Sequence, residues 1–514
     1  TFLAKLLLGL SETWRDMEKY DLNSDLLSSF SKPIQKETYR PIRITVDYSN
    51  LESHEDTSFE QKALIQYVLV PPAIEVIQSI VKVKGPTEFS FDASRCTKSD
   101  VAIPEKYLNA IIDADLLIFV AGKNSPSEKF IGRANACARS LHDKRAVVGI
   151  IKFNNAKLKT TKAAIQKHLM TAIHEFMHIL AFNKIMHSGF SGLTTAVMQQ
   201  TDGDGKISRF LITPRLVKHA QSYFDCPTLD KVPLENLSSR PGSHFKQVHL
   251  GHELMVGQGT TLRALSMFTL ALLADSGWYE VDEGKAERMS WGHKKGCGFL
   301  ESACPNSSET CAVEGEITCS ADHLGFGGCQ KTRLSGECIL RMNVQETLCV
   351  ATDSTAEMMR KPINTLGPRS RCAMVRRSRK SYPACFTTAC LPKGGFEIRV
   401  GSKWYLCDGS VSEIATARGR VSCPPFESVC EDRFSGCPNA CSGRGRCLEE
   451  GSCRCDYGYE GRDCSQSIDL VSKVLIPELP LRKTKSLPSV MTEKTPPLRS
   501  SLPLRETKAA ISVL

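Results

Sequence analysis

Twenty-two cysteines in a chain of 514 residues constrain its fold more than any other feature. All of them except Cys96 and Cys137 lie between Cys226 and Cys464 inclusive. Dense cysteines in even number are typical of proteins that form disulfides in the secretory pathway or outside the cell, because the cytosol keeps thiols reduced. The sequence therefore predicts a secreted, extracellular or cell-surface protein in which disulfides replace a large core after about residue 296.

The length and composition favour several folded domains. A chain of 514 residues exceeds one ordinary core, and 41% hydrophobic residues are too many for a wholly disordered chain. No run of about 18 uninterrupted apolar residues occurs, so we expect no transmembrane helix, and membrane attachment does not follow from the sequence. Much of the net charge of +10 is concentrated in Arg369–Lys380 and after Cys464 without a recognition motif, so we expect no nucleic-acid partner.

Helices and strands alternate from about residue 42 to 155, which predicts an α+β fold without a Gly-rich phosphate loop. Alternating or β-branched apolar runs predict strands at Ile42–Tyr48, Asp115–Ala121 and Ala146–Phe153. Three helices are predicted: Pro71 to about Val83, Thr160–Phe182 with Thr160 or Thr161 as its cap, and Thr260–Ser276, which Gly277 ends.

An HExxH motif, His174-Glu175-Phe176-Met177-His178, lies within the helix predicted at Thr160–Phe182. Two histidines four residues apart project from one helical face, so both imidazoles can reach one metal ion. Glu175 is then placed to act as general base on a water at the metal. The pentapeptide alone is also compatible with two surface histidines on an ordinary helix.

A catalytic zinc site needs a third protein ligand, and the short metzincin pattern HExxHxxGxxH does not supply it here. Lys184 stands at the position of the third histidine, and His187 comes three residues too late. Ala181 stands at the glycine position, where a backbone with positive φ would cost alanine about 1 kcal/mol. The third ligand must therefore come from farther along the chain.

Two later segments resemble the leishmanolysin family of metallopeptidases, in which a long insertion separates the second and third ligands. Gly242-Ser243-His244-Phe245, followed after seven residues by Glu253-Leu254-Met255, is similar to the third histidine and the Met-turn of that family. The resemblance covers roughly residues 42 to 464. Further similar segments are Thr213–Arg215, Phe224–Pro227, Asp275–Tyr279, Ser290–Gly292 and Gly296–Phe299.

The resemblance implies a zinc-dependent endopeptidase with one Zn²⁺ per chain and protein or peptide substrates. His174, His178 and His244 would bind the zinc, Glu175 would be the general base, and Met255 would pack in the turn beneath the metal without ligating it. His249 and His252 lie close to His244 in sequence and remain the rival third ligands.

Six cysteines near the end of the cysteine-rich region have the spacing C-x3-C-x5-C-x5-C-x-C-x8-C and resemble an EGF-like module. Such modules make contacts or act as spacers, so we expect cell-surface or extracellular-matrix contacts. The module implies the pairs Cys437–Cys447, Cys441–Cys453 and Cys455–Cys464. The leishmanolysin resemblance implies the pairs Cys96–Cys137 and Cys226–Cys297.

The predicted architecture is α+β: a metzincin-type catalytic domain with a long insertion before the third ligand, then a disulfide-rich region and an EGF-like module. The expected segments are an N-terminal segment or pro-region remnant (1–40), a catalytic subdomain ending in the HExxH helix (41–182), the insertion with third ligand and Met-turn (183–296), a Cys-rich domain (297–436), the EGF-like module (437–464) and a disordered tail (465–514).

Two further predictions concern modification and an alternative function. Asn236 and Asn306 begin N-glycosylation sequons, so we expect a glycoprotein. The alternative to an enzyme is a catalytically inactive adhesion or binding protein that keeps the fold and uses its Cys-rich and EGF-like regions for contacts. The intact Glu175 favours the enzyme.

Overall fold

The computed structural model describes residues 38–468 except 86–87, 97–100, 202, 204, 206, 237–241, 259–262, 352–356 and 393. Most of the predicted N-terminal segment and of the predicted tail therefore lies outside the described residues. The α-helices of the described residues are α1 (Ser49–Glu52), α2 (Phe59–Ala63), α3 (Val70–Ile80), α4 (Lys162–Leu180), α5 (Lys184–His187), α6 (Pro214–Phe224), α7 (Gln247–Leu250), α8 (Met267–Asp275), α9 (Cys297–Glu301) and α10 (Phe426–Cys430).

The strands before the cysteine-rich region are β1 (Arg40–Pro41), β2 (Ile44–Asp47), β3 (Val81–Val83), β4 (Leu116–Lys123), β5 (Gly132–Arg139), β6 (Ala146–Asn154), β7 (Val197–Thr201), β8 (Ile207–Leu211), β9 (Val232–Pro233) and β10 (Tyr279–Val281). Those within it are β11 (Ile317–Cys319), β12 (Gly325–Lys331), β13 (Ile339–Leu348), β14 (Ser370–Arg377), β15 (Lys380–Cys390), β16 (Phe396–Val400), β17 (Lys403–Cys407), β18 (Glu413–Thr416), β19 (Gly419–Ser422), β20 (Gly445–Cys447), β21 (Cys453–Cys455), β22 (Tyr459–Glu460) and β23 (Gln466–Ser467).

A four-stranded sheet in the order β2-β4-β6-β5 supports the HExxH helix. β2, β4 and β6 are parallel, and β5 pairs antiparallel with β6 at the edge. Alternate residues of β4 enter two different cores: Leu116, Ile118 and Val120 face one, and Leu117 and Phe119 face the other. Because both faces of the sheet are buried, the sequences of β4 and β6 are continuous apolar runs. Strand β5 was not predicted, because its residues are mostly half-buried and form no apolar run.

Helix α4 packs on this sheet and carries the motif. It runs from Lys162 to Leu180, so it begins two residues after the predicted Thr160 and ends two before Phe182. Thr161 is its cap, and the Thr161 side chain accepts a hydrogen bond from the Ala164 amide at 3.4 Å. Gly149 in β6 makes the close packing possible, since a Cβ there would lie 2.6 Å from Cδ1 of Ile179.

The predicted amphipathic helix at Pro71–Val83 begins earlier and ends sooner than expected. The helix starts after Ser58, which forms a capping box with Gln61, and continues through α2, a π-helical stretch at Leu64–Leu69 and α3. The wider π-helical turn accommodates Pro71 and Pro72, which have no amide hydrogen to donate. Val81–Val83 leave the helix because they pair with both β1 and β10.

The same stretch bears on the prediction that no transmembrane helix occurs. Phe59–Ile80 is 22 residues long and apolar enough to cross a membrane by length and composition alone. Its side chains Leu69, Ile77 and Ile80 are buried in the largest hydrophobic core, beside those of α4. This packing favours a core helix.

The helix predicted at Thr260–Ser276 is also shorter. Helix α8 begins after Ser266, whose side chain accepts a hydrogen bond from the Phe268 amide. Ala264 instead bonds like a strand: its amide donates to the His252 carbonyl at 2.7 Å, and its carbonyl accepts from the Leu254 amide at 2.8 Å. This pairing with residues 252–254, about ten positions earlier in the chain, outweighs the helical propensity of the sequence around Ala264.

One hydrophobic core joins residues on both sides of two predicted domain boundaries. It includes Ile173 of α4, Phe245 and Leu272 after the boundary at 182, and Leu340 and Met342 of β13 after the boundary at 296. The domain boundaries themselves remain a proposal.

The cysteine-rich region is built from small sheets with small cores. β11-β12-β13 form one sheet, and a six-stranded sheet has the order β17-β16-β15-β14-β19-β18. The core of the larger sheet contains Val375, Phe386, Ile398 and Val421. Six disulfides cross-link this region: Cys304–Cys338, Cys311–Cys329, Cys319–Cys372, Cys349–Cys385, Cys390–Cys430 and Cys407–Cys423. The described chain is therefore α+β, as predicted.

Candidate metal centre

Helix α4 places His174 and His178 one turn apart on the same face. Their ring centroids are 4.6 Å apart, and both residues are buried. The remainder of this helix segment, including Phe176, Met177 and Ile179, is packed in the core. The helix therefore fixes two imidazoles side by side on a rigid element.

The chain returns from the insertion to bring His244 against this pair. Backbone hydrogen bonds hold it there: the Glu235 amide donates to the His244 carbonyl at 2.8 Å, and the Phe245 amide donates to the Met255 carbonyl at 2.9 Å. The His244 ring lies 5.2 Å from that of His174 and 5.0 Å from that of His178. One ring nitrogen from each histidine lies within 4.8 Å of the other two, which is a spacing that can hold a metal ion.

Backbone carbonyls orient the two helix histidines. Nδ1 of His174 donates to the Leu254 carbonyl at 2.8 Å, and Nδ1 of His178 donates to the Phe182 carbonyl at 2.7 Å. A proton on Nδ1 leaves the lone pair on Nε2, so Nε2 is the nitrogen available to a metal. Three neutral imidazoles with orienting carbonyls behind two of them are a donor set that suits Zn²⁺. Neither carbonyl could be predicted from the sequence, because every residue has a backbone carbonyl and the residue type does not show which one accepts.

Burial also keeps His174 neutral. Burial lowers the pKa of His174 well below its usual value, and the neighbouring His178 and His244 lower it further, against the raising effect of the Leu254 hydrogen bond. The imidazole therefore has its lone pair available at neutral pH.

Ala181 does not need the positive φ that its glycine position suggested. Its φ is −156°, so alanine is not strained there. The helix ends with the amides of Ala181 and Phe182 both donating to the Met177 carbonyl, at 3.0 and 2.8 Å. The side-chain amide of Asn183 donates to the His178 carbonyl. These bonds turn the chain away from the helix without a left-handed residue.

Glu175 follows His174 on α4 and is buried, and Gly132 of β5 lies against it. A Cβ on Gly132 would stand 2.8 Å from Cγ and 3.0 Å from Oε1 of Glu175. Arg263 is the nearby cation: burial lowers its pKa, against the attraction of Glu175 and Glu253 that raises it. Sequence reasoning found neither Gly132 nor Arg263, because β5 was not predicted and Arg263 fell inside a predicted helix.

The turn containing Met255 is tied to helix α8 through Glu253. The Glu253 carboxylate accepts hydrogen bonds from the hydroxyls of Ser266 at 3.0 Å and Thr269 at 2.6 Å, and from the Met255 amide. Burial raises the pKa of Glu253 to about 7, and these hydrogen bonds oppose the rise. Met255 is fully buried, one residue after the carbonyl that orients His174. No sequence motif indicated the role of Glu253.

The rival histidines lie elsewhere. Nε2 of His249 donates to the Ser302 carbonyl at 3.0 Å, and Nε2 of His252 donates to Oδ1 of Asn343 at 2.9 Å. His187 is buried with its ring edge-on to Phe182 and Phe190. None of the three belongs to the group of converging ring nitrogens in the described residues.

All twenty-two cysteines are joined in eleven disulfides. They include the pairs that the two resemblances implied: Cys96–Cys137, Cys226–Cys297, Cys437–Cys447, Cys441–Cys453 and Cys455–Cys464. Cys437, Cys441 and Cys453 also lie close enough to hold an ion, but their sulfurs are oxidised and cannot serve as thiolate ligands. Of the two sequon residues, Asn306 is exposed and Asn236 is half-buried, with its side-chain oxygen accepting from the Arg209 amide.

Comparison with known proteins shows which family the chain belongs to. The profile of the leishmanolysin peptidase family matches residues 52–342, more than half of the chain, and a teneurin-like EGF domain matches residues 437–467. The chain is 24% identical over 397 residues to the ciliated left-right organizer metallopeptidase of Danio rerio, covering 71% of this chain and 63% of that protein. It is 24% identical over 445 residues to the leishmanolysin homolog of Crithidia fasciculata, covering 76% of this chain and 67% of that protein.

A third relative is the leishmanolysin of Leishmania major, at 23% identity over 424 residues, 72% of this chain and 69% of that protein. The matches thus span about two thirds of the length of these relatives. The family resemblance inferred from the distant histidine and the Met-turn is confirmed, and the chain belongs to the leishmanolysin family of metallopeptidases.

Proposed function

We propose that this protein is a zinc-dependent endopeptidase in which His174, His178 and His244 bind one Zn²⁺. The observation that carries the proposal is the convergence of three ring nitrogens within 4.8 Å, two of them on rings oriented by backbone carbonyls. The donor set fits zinc, because imidazole nitrogens are preferred zinc ligands and three neutral ones leave the ion its full charge.

Zinc bound there supplies Lewis acidity toward a water molecule and the scissile carbonyl. Glu175 acts as general base and takes a proton from the attacking water, whose oxygen bonds to the carbonyl carbon. When the C–N bond breaks, Glu175 returns that proton to the leaving amine. Met255 packs in the turn that carries the Leu254 carbonyl, and so helps hold His174 in place.

Strand β5 provides a place for an extended substrate. In the described residues it pairs only with β6, so its other edge has no strand partner, and its residue Gly132 lies against Glu175. An extended peptide can add to such an edge through backbone hydrogen bonds. Protein or peptide chains are therefore the proposed substrates, held antiparallel or parallel to β5 with the scissile bond near Glu175.

Disulfides and the EGF-like domain support a location outside the cell or at its surface. We propose cell-surface or matrix contacts for the Cys-rich and EGF-like regions, and glycosylation at Asn306 and Asn236. The division of the chain at 40, 182, 296, 436 and 464 is kept as part of the proposal.

The test is metal content and peptide cleavage by the purified full chain. We expect one zinc per chain, cleavage that a chelator abolishes, and recovery when zinc is restored. Glu175→Gln should keep the zinc and lose about a hundred-fold or more of the activity, since an amide cannot accept the proton. Glu60→Gln, an exposed change on α2, is the matched control and should leave activity unchanged. A chain that binds zinc but cleaves nothing would favour the adhesion alternative.

A further inference from the structure

Two hairpin ends lie side by side at one end of the six-stranded sheet. One is the turn between β14 and β15, and the other is the turn between β18 and β19. Arg376 of β14 pairs directly with Arg420 of β19. The approach is close at Gly419, where a Cβ would lie 2.6 Å from the Arg376 carbonyl oxygen and 3.5 Å from Cβ of Arg377.

These two ends carry six exposed cations, which we call the basic hairpin patch: Arg376, Arg377, Arg379, Lys380, Arg418 and Arg420. One carboxylate belongs to the patch. Glu413 of β18 forms ion pairs with Arg376 at 2.5 Å and Arg420 at 3.0 Å. Six positive charges and one negative charge leave a net charge of +5.

Sheet stability does not explain the patch. Like charges directly opposite on paired strands are destabilising, and Glu413 offsets this for Arg376 and Arg420 alone. In the described residues no ion pair with a carboxylate is found for Arg377, Arg379, Lys380 or Arg418. Four uncompensated cations at adjoining turns indicate a surface selected for an anionic partner.

We propose that the basic hairpin patch binds a sulfated polysaccharide. The planar guanidinium groups of its arginines present forked donors that match sulfate oxygens, and a linear polyanion can lie across both hairpin ends at once. The disulfides support a location outside the cell or at its surface, as proposed above. Sulfated polysaccharides occur there, so they are a more suitable partner than nucleic acid. The inference concerns a surface with its own small core and does not depend on the peptidase site.

A membrane surface is the less suitable partner. Proteins that bind the bilayer interface combine basic residues with exposed apolar side chains that insert. The large hydrophobic side chains that are exposed in the described residues include Trp404, Leu406 and Val411, but none within 369–382 or 413–422. The patch therefore offers charge without an apolar wedge.

The test is binding of the full chain to immobilised heparin across a salt series. The variant Arg377→Ala/Arg379→Ala/Lys380→Ala/Arg418→Ala leaves the Glu413 ion pairs in place. We expect it to bind about ten-fold more weakly, with a shallower dependence of affinity on salt, because fewer counterions are released. The control Lys184→Ala/Lys218→Ala/Lys294→Ala/Lys295→Ala removes the same charge from exposed lysines of α5, α6 and a loop, and should bind as the unaltered chain does.

Equal losses in the two variants would overturn the proposal, since bulk charge would then explain binding. Unchanged binding by the patch variant would also overturn it. Desulfated heparin provides a measurement that needs no variant: it should fail to compete with heparin for the unaltered chain, and equal competition would contradict recognition of sulfate. Tighter binding to phosphatidylserine vesicles or to RNA than to heparin would assign the patch to another partner.

Discussion

Gly132 lies in contact with Glu175: a Cβ added to Gly132 would stand 2.8 Å from Cγ and 3.0 Å from Oε1 of the glutamate. The edge strand β5 and the helix α4 thus meet at the proposed general base. A glycine there leaves room for the Glu175 side chain against the strand, which a Cβ would fill. The strand is therefore part of what fixes the position of Glu175.

Gly132→Ala should displace Glu175 and reduce peptidase turnover by about a hundred-fold, since a shift of about 1 Å in a reacting group has that effect. Zinc content should not change, because the three atoms nearest to the added Cβ all belong to Glu175, which is not a proposed ligand. Gly298→Ala is the matched control: a Cβ at Gly298 meets no atom within 4 Å, so activity should be retained. Full activity of Gly132→Ala would contradict a positioning role.

His244→Ala should strip or greatly weaken the bound zinc, because only two imidazoles would remain. His187→Ala, His249→Ala and His252→Ala should each keep one zinc per chain, since those rings lie elsewhere. Metal analysis of the four purified variants measures this. If His249→Ala or His252→Ala lost zinc while His244→Ala kept it, the proposed assignment of His244 as third ligand would be wrong.

His252 should make the protein less stable in mild acid. Burial lowers its pKa to about 4. The unfolded chain takes up the proton nearer pH 6.5, so stability from this residue is present above about pH 6.5 and is lost as the pH falls toward 4. Between pH 7 and pH 5 the loss is about 1 to 2 kcal/mol. The variant His252→Gln should be less stable at neutral pH. Its free energy of unfolding should fall less between pH 7 and pH 5, because the contribution of His252 to that decrease is absent.

Denaturant unfolding at pH 7 and pH 5, with disulfides intact, measures the difference. Because both proteins lose zinc in acid alike, the comparison between them isolates His252. An identical decrease in the free energy of unfolding for both would contradict the assignment.

Peptide mapping of the unreduced protein should recover Cys96 joined to Cys137 and Cys226 joined to Cys297. The first bond fastens the loop before β4 to the edge strand that carries Gly132, and the second joins the segment after α6 to α9. Removal of the Cys96–Cys137 bond by Cys96→Ala/Cys137→Ala opens a loop of 41 residues. This change should lower the free energy of unfolding by about 3 to 4 kcal/mol. Free thiols at Cys96 and Cys226 would contradict both the pairing and an oxidising compartment.

Local patterns in the sequence were sufficient for several features of this protein. His174, Glu175 and His178 share one helix, so a repeat of 3.6 residues per turn predicts their arrangement without knowledge of the fold. The buried strands β4 and β6 were visible as apolar runs, and cysteine spacing indicated an EGF-like unit and an oxidising compartment. The predicted ends of these helices and strands differ from the observed ends by a few residues, because caps and pairing partners determine where an element ends.

The tertiary structure decided which groups join the two helix histidines. Four histidines, His187, His244, His249 and His252, were available in sequence, and only the return of the chain through paired segments brings His244 to the others. The same return places the Leu254 carbonyl behind His174 and replaces the start of a predicted helix with strand-like pairing at Ala264. Contacts between residues 80 apart in sequence depend on the packing of the whole core, which no local periodicity encodes.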